Sequence, residues 1–193
     1  MIVLVTGGAR SGKSSYAERI ARCLGGEPQH SCYLATGEAF DQEMKERIAK
    51  HRASRGNTFF TVEEPVELAK ACKSLPADTK VVLLDCLTTW LGNVSYRLEQ
   101  QAQQTGGSVS LENCPVWREW LDYLPEARHS VVLVSNELGM GLVPGDKLSR
   151  EFRDAQGRLN QQVAALADVV IFMVSGLPLV LKGKSPLPQG DEK

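Results

Sequence analysis

The chain has 193 residues, 42% of them hydrophobic, and a formal net charge of −1 from 22 Lys and Arg against 23 Asp and Glu. That length suffices for one α/β domain with a full core, and the near-neutral charge excludes the broad basic field that captures nucleic acid or anionic membranes, so small molecules are the expected partners. The five cysteines show neither C-x-x-C nor zinc-site spacing, no basic leader precedes the first apolar run, and no apolar run is long enough to span a bilayer, which predicts a cytoplasmic protein with reduced thiols.

Ile2 to Val5 reads as a strand that enters a turn containing Gly7, Gly8 and Gly12 and leaves as a helix with Ala17, Ile20, Ala21 and Leu24 at helical spacing. The run Gly7, Gly8, Ala9, Arg10, Ser11, Gly12, Lys13, Ser14 fits G-x-x-x-x-G-K-[ST], a phosphate-binding loop. Its glycines let backbone N–H groups converge on phosphate oxygens, and the following helix aims its positive end at the same point. Lys13 is expected to reach the β and γ phosphates, and Ser14 to ligate the Mg²⁺ that accompanies them.

Gly25 and Gly26 stop the first helix, and Ser31 to Thr36 reads as a second strand. A helix is expected from about Asp41 to His51, followed by the basic segment Lys50 to Arg55 and by TVEEP, which leads into a helix with Pro65 near its first turn. Val81 to Asp85 is a third strand, apolar enough to be covered on both faces, and a helix follows from Thr88 to Leu98. Gln100 to Cys114 is polar and Gly/Ser-rich and reads as a surface loop or disordered insert. A helix over Pro115 to Leu124 should turn Val116, Trp120 and Leu124 inward. Ser130 to Ser135 is a fourth strand, and Lys147 to Ala167 a long helix with Leu148, Phe152, Ala155, Leu159, Val163 and Leu166 on one face. Val169 to Val174 is a fifth strand, and Leu179 to Leu181 a short sixth. The pattern predicts a single α/β P-loop domain over residues 1–183, a mostly parallel central sheet with helices on both faces, and a frayed tail over 184–193.

Ligands of an open parallel sheet bind beyond the carboxyl ends of its strands. His30 and His129 precede strands and belong to the opposite edge, as does Asp168, whereas His51 lies on a crossover after a strand end. It is either a helix-end histidine or, beside Lys50, Arg52 and Arg55, a nucleophile toward phosphorus. Neighbouring cations would lower its pKa, and a helix C-terminus would raise it. Asp85 is the acid expected on the metal side, or a cap for the next helix. Glu63 and Glu64 are first-turn helix acids or acceptors for a base or ribose. Ser135, Asn136 and Glu137 lead into LGMGLVP, a loop that positions an acceptor or closes a lid, or a plain turn. Arg150 and Arg153 reach phosphate or remain solvated.

With these residues laid out, the chain resembles the bifunctional adenosylcobinamide kinase/adenosylcobinamide-phosphate guanylyltransferases of cobalamin biosynthesis. The resemblance rests on TGGARSGKS (Thr6–Ser14), YLAT (Tyr33–Thr36), DQEMKERIAKHR (Asp41–Arg52), TVEEP, LLDCLTTWL (Leu83–Leu91), VSNELGMGLVP (Val134–Pro144) and FRDAQGRLNQQVA (Phe152–Ala164). It implies phosphorylation of the aminopropanol hydroxyl of adenosylcobinamide by ATP or GTP. It then implies transfer of GMP from GTP, through a covalent histidine-GMP intermediate, to adenosylcobinamide phosphate, giving adenosylcobinamide-GDP and pyrophosphate. By motif position the histidine is His51, with Lys13 as the other catalytic residue. Nucleotide contacts carry over to Gly7–Ser14, to Ala35, Thr36 and Gly37, to Arg52, Ala53, Ser54 and Arg55, to Glu63 and to Asp85, and Mg²⁺ to Ser14 and Asp85. The resemblance also implies a homotrimer. One departure stands out: Gly56 to Phe60 replace a stretch in which the family often carries a proline and a tryptophan. The alternatives from the residues alone are a small-molecule kinase without a covalent step, or a nucleotide-switched binding module.

Overall fold

The computed structural model describes residues 1–37, 58–106 and 110–188. Next to the middle of its sheet runs β1 (Ile2–Gly7), whose six residues are all buried, because it has a strand on each side and a helix layer on each face. Around it lie β2 (Ser31–Ala35), β3 (Phe60–Glu63), β4 (Val81–Asp85), β5 (Ser130–Asn136), β6 (Val169–Val174) and β7 (Leu177–Lys182), in the order β3-β2-β4-β5-β1-β6-β7. All pairs are parallel except β6–β7. The fold is therefore the expected α/β architecture with a mostly parallel sheet.

Alternation along the strands divides the core in two. Val3, Val5, Leu83, Val132 and Val134 face α1 (Lys13–Gly25), which buries Tyr16, Ala17, Ile20 and Ala21 against them. Ile2, Leu4, Leu84, Val131 and Leu133 face a layer made of α2 (Leu68–Lys73), α3 (Leu87–Thr105), α4 (Pro115–Glu126) and α5 (Lys147–Leu166). The second layer is held by three fully buried tryptophans, Trp90, Trp117 and Trp120. The Trp90 indole N–H donates to Val66 O at 2.8 Å and that of Trp117 to Gln162 Oε1 at 2.8 Å, so two of the three satisfy their polar atom.

Several expectations need correction. TVEEP does not lead directly into a helix: Phe60 to Glu63 form an edge strand on β2, and α2 starts only at Leu68. The strand is made by pairing with a distant partner, which local periodicity does not reveal. The polar stretch after Leu98 is not all loop, since α3 continues to Thr105 and ends on Gly106 in the left-handed region (φ 70). Gln and Ala sustain a helix without needing an apolar face to bury. On α4 the inward residues are Trp117, Trp120, Tyr123 and Leu124, with Val116 only half-buried at the margin. On α5 the middle of the expected face (Ala155, Leu159, Val163) is buried and Phe152 half-buried, but Leu148 and Leu166 at the ends are exposed. A 20-residue helix is about 30 Å long and outruns a six- or seven-residue strand of about 20 Å. β7 spans Leu177–Lys182, longer than expected, after a tight turn with Ser175 at φ 52 and Gly176 at φ 83. Of the expected frayed tail, Leu187 is buried in the α1 layer and Ser185 Oγ lies 3.3 Å from the Tyr16 hydroxyl. The helix expected over Asp41 to His51, the basic segment to Arg55 and the last five residues lie outside the described residues.

At the amino edge of the sheet, Asp168 Oδ2 accepts from Ile2 N at 2.7 Å, and His129 is buried with its Nε2 3.0 Å from the Tyr123 hydroxyl. Burial, then the Arg128 guanidinium and the N-terminal ammonium, push the His129 pKa from 6.5 down to about 4. The neutral ring is what the fold accommodates. Between those two values the unfolded chain binds a proton that the folded chain does not, so stability present above pH 6.5 is lost as pH falls to about 4, by roughly 3 kcal/mol. Urea midpoints followed across that window are expected to lose most of their slope in His129→Phe.

Candidate active site

The chain leaves β1 at Gly7 and returns as α1 at Lys13, the strand, loop and helix expected around the glycine-rich turn. Gly7 has φ 156, and a Cβ there would stand 2.6 Å from Met173 O and 2.8 Å from Ser11 Oγ, so any side chain would displace backbone. Gly12 caps α1 at φ 92, again in the region that favours glycine, and Arg10 takes φ 56 between them. Ser11 N donates to Gly8 O at 3.3 Å, and Gly176 N to Ser11 O at 3.0 Å, tying the loop to the β6–β7 turn. The Lys13 ammonium folds back over the loop and donates to Gly8 O at 3.2 Å. Helix α1 has no acidic residue in its first turn, so its positive end is not offset. Ser14 is half-buried in that turn. Gly8, Ala9, Arg10 and Gly12 border solvent, as an anion-binding loop requires.

Register places the neighbours. Gly7 pairs with Asn136 on β5, and Asp85 on β4 pairs with Val134. Asn136 and Asp85 share the alternation of Val134 and Leu83, which pack on α1, so both belong to the face from which the phosphate loop rises. The Tyr33 hydroxyl donates to Asp85 Oδ2 at 2.8 Å, leaving Oδ1 without a hydrogen-bond partner among the described residues. The capping alternative for Asp85 is not realised, since no side chain caps α3, which begins at Leu87 after Cys86. The Cys86 thiol is pushed up, first by burial and then by the adjacent Asp85 carboxylate, and so is no thiolate nucleophile.

Ala35, Thr36 and Gly37 follow at the end of β2. Thr36 is fully buried, its Oγ1 donating to Cys86 O and accepting from Cys86 N, both at 2.9 Å, while its carbonyl accepts from Asn93 Nδ2 at 2.7 Å. Its side chain braces the ends of β2 and β4. Glu63 is exposed at the end of β3 in register with Ala35, whereas Glu64 Oε1 accepts from Val66 N and Glu67 N at 2.8 and 2.9 Å and forms the turn into α2. The two glutamates thus separate into a border residue and a structural one. His51, Arg52, Ala53, Ser54 and Arg55 lie outside the described residues.

The segment after β5 is tied down rather than loose at its base. Glu137 N donates to Gly7 O at 3.0 Å, Asn136 N to Thr88 Oγ1 at 2.9 Å, and Asn160 Nδ2 to Asn136 O at 3.0 Å. Farther out, Arg150 donates to Pro144 O and Gly145 O at 3.0 and 2.7 Å, so it braces this loop, and Arg153 pairs with Asp154 at 3.5 Å. Between α3, α5 and the loop lies an open groove of about 510 Å³, lined by apolar Leu138, Leu142, Pro144 and Phe152 with Tyr96. Sequence reasoning missed Tyr33, Thr88, Asn93, Gln156 and Asn160. The one available signal was polar Gln156 and Asn160, four apart beside the apolar positions of α5.

The family model "CobU: Cobinamide kinase / cobinamide phosphate guanyltransferase" matches residues 3–181. A bifunctional adenosylcobalamin biosynthesis protein CobP from Pseudomonas aeruginosa is 41% identical over 181 residues, covering 94% of this chain and 97% of that protein. Proteins named bifunctional adenosylcobalamin biosynthesis protein CobU from Salmonella typhimurium and Escherichia coli are 38% and 36% identical, each over 94% of this chain and 100% of the relative.

Proposed function

The chain belongs to the cobinamide kinase/cobinamide phosphate guanyltransferase family, and on that premise we propose that it carries out both reactions at the sheet edge built around Gly7–Ser14. In the first, the aminopropanol hydroxyl of adenosylcobinamide attacks the γ-phosphorus of ATP or GTP, and the nucleoside diphosphate leaves. In the second, the His51 imidazole attacks the α-phosphorus of GTP and pyrophosphate leaves. The phosphate of adenosylcobinamide phosphate then displaces His51 from the bound GMP, giving adenosylcobinamide-GDP.

The observation that carries this reading is the Gly7–Ser14 cradle with Lys13 over it, in a chain that matches the family over residues 3–181. Lys13 and the backbone N–H groups neutralise charge on the bridging and terminal phosphates as it shifts to the leaving group. Tyr33 holds the Asp85 carboxylate by one oxygen, and Ser14 offers a hydroxyl at the helix start. Among the described residues no three His, Cys, Asp or Glu side chains gather into a cage, so Ser14 and Asp85 would hold Mg²⁺ together with the nucleotide's own oxygens. When bound, the ion supplies further charge neutralisation on the phosphates. The apolar groove under the Leu138–Pro144 loop, at the same edge, supports a bulky acceptor arriving from that side. No described helix is long and apolar enough to cross a membrane. The homotrimer remains part of the proposal.

GTP labelled at either end tests the scheme. The expected result is γ label in adenosylcobinamide phosphate and, before acceptor is added, α label in an acid-labile, alkali-stable protein adduct that moves to product afterwards. Transfer of γ label alone would overturn the covalent step, and transfer of neither label would overturn the enzyme reading.

A further inference from the structure

We infer that Asn136 reads the terminal phosphate of a nucleotide seated on Gly7–Ser14, and that the side chains of half-buried Thr88 and buried Asn160 position it. This rests on the phosphate-loop reading above and adds a residue to it. Asn136 is the last residue of β5 and the register partner of Gly7, one strand from the loop. It has the alternation of Val132 and Val134, which pack on α1, so its side chain departs on the side where α1 presents its N-terminus. Among the described residues its carboxamide has no hydrogen-bond partner, although every polar atom of its backbone is engaged.

That backbone is held by two helices of the layer opposite α1 and by β1. Its N–H donates to Thr88 Oγ1 on α3, its carbonyl accepts from Asn160 Nδ2 on α5, and the next N–H, that of Glu137, donates to Gly7 O. The orientation of Asn160 is itself determined. Its Oδ1 accepts from Ser135 Oγ at 2.6 Å and from Gln156 Nε2 at 3.0 Å, so the amide nitrogen must face Asn136. Ser135 and Gln156 are fully buried, and Gln156 Oε1 has no partner. An unpaired buried carbonyl costs stability that an apolar layer would not. A cluster retained at that cost, whose one outward bond immobilises the peptide beside the phosphate loop, serves position.

The carboxamide matters to the chemistry because its N–H₂ is a neutral donor. Lys13 balances charge from the helix side, while Asn136 can donate to the terminal phosphate from the strand side without competing for the metal. The test compares equilibrium binding of Mg²⁺ with α,β-methylene-GTP and with GDP, in wild type and in Asn136→Ala, Asn136→Asp and Asn160→Ala. The expected result is that the preference for triphosphate over diphosphate drops about tenfold in Asn136→Ala, further in Asn136→Asp because the carboxylate repels phosphate, and about threefold in Asn160→Ala. GDP affinity and thermal midpoints of the Asn136 variants should stay near wild type, which a merely structural residue would not produce. Should Asn136→Ala fail to fold, the near-isosteric Asn136→Asp carries the comparison. An unchanged preference in a folded Asn136 variant overturns the inference while leaving the function intact. A wild-type protein that binds neither nucleotide overturns the phosphate-loop reading and this inference together.

Discussion

Lys13→Ala is expected to lower both phosphoryl and guanylyl transfer by about 10²- to 10³-fold, the loss typical of one preorganised charge-stabilising donor. The side chain sits at the start of α1 with its ammonium folded over the loop onto Gly8 O. Both reactions expel a phosphate leaving group and therefore draw on the same positive charge, which is why one substitution should reach both. Because Lys13 is only half-buried and makes a single hydrogen bond, the fold should be nearly unaffected. Comparable circular dichroism and thermal midpoints alongside lost turnover would confirm that. Lys13→Arg should rescue poorly, since a planar fork does not replace a compact ammonium over a tight backbone loop. Equal loss of stability and activity would show instead that Lys13 acts through the loop's conformation.

The second large effect is selective. In the proposed scheme His51→Ala is expected to abolish the adduct formed from α-labelled GTP and guanylyl transfer with it, leaving γ-phosphoryl transfer to adenosylcobinamide within about threefold of wild type. The selectivity follows from which phosphorus each step attacks. A kinase step needs only the γ-phosphorus in line with the acceptor hydroxyl, whereas the nucleotidyl step needs a nucleophile in line with the α-phosphorus. Of the other two histidines, His129 is buried at the amino edge, where burial and neighbouring cations also keep its pKa near 4. His30 lies at the same edge, 3.4 Å from Asp78. A phosphoramidate that formed normally in His51→Ala would assign the carrier role elsewhere. Measuring both half reactions on one preparation separates that outcome from general inactivation.

The phosphate loop was legible in the sequence because its chemistry is local: glycines where a side chain cannot fit, then lysine and serine at a helix start. The position of Asp85 at the carboxyl end of β4 was legible for a related reason, being the polar end of an otherwise apolar strand. Thr36 was only half legible. Its place after β2 was right, but its hydroxyl is spent on Cys86, a contact that exists only once β2 and β4 are paired. The Phe60–Glu63 strand was missed for the same reason, since an edge strand with half its residues exposed has no signature until its partner is beside it.

Residue types a few positions apart were enough to mark the main strands and helices, the glycine-rich turn proposed to hold phosphate and the family the chain resembles. Which residues from distant segments share the face of the Gly7–Ser14 loop became visible only in the folded chain. Tyr33 meets Asp85, and Thr88 and Asn160 meet Asn136, through parallel register and the crossing of helices over the sheet. Such encounters depend on long-range packing, in which an ordinary threonine or asparagine acquires its task solely from what the fold sets opposite it.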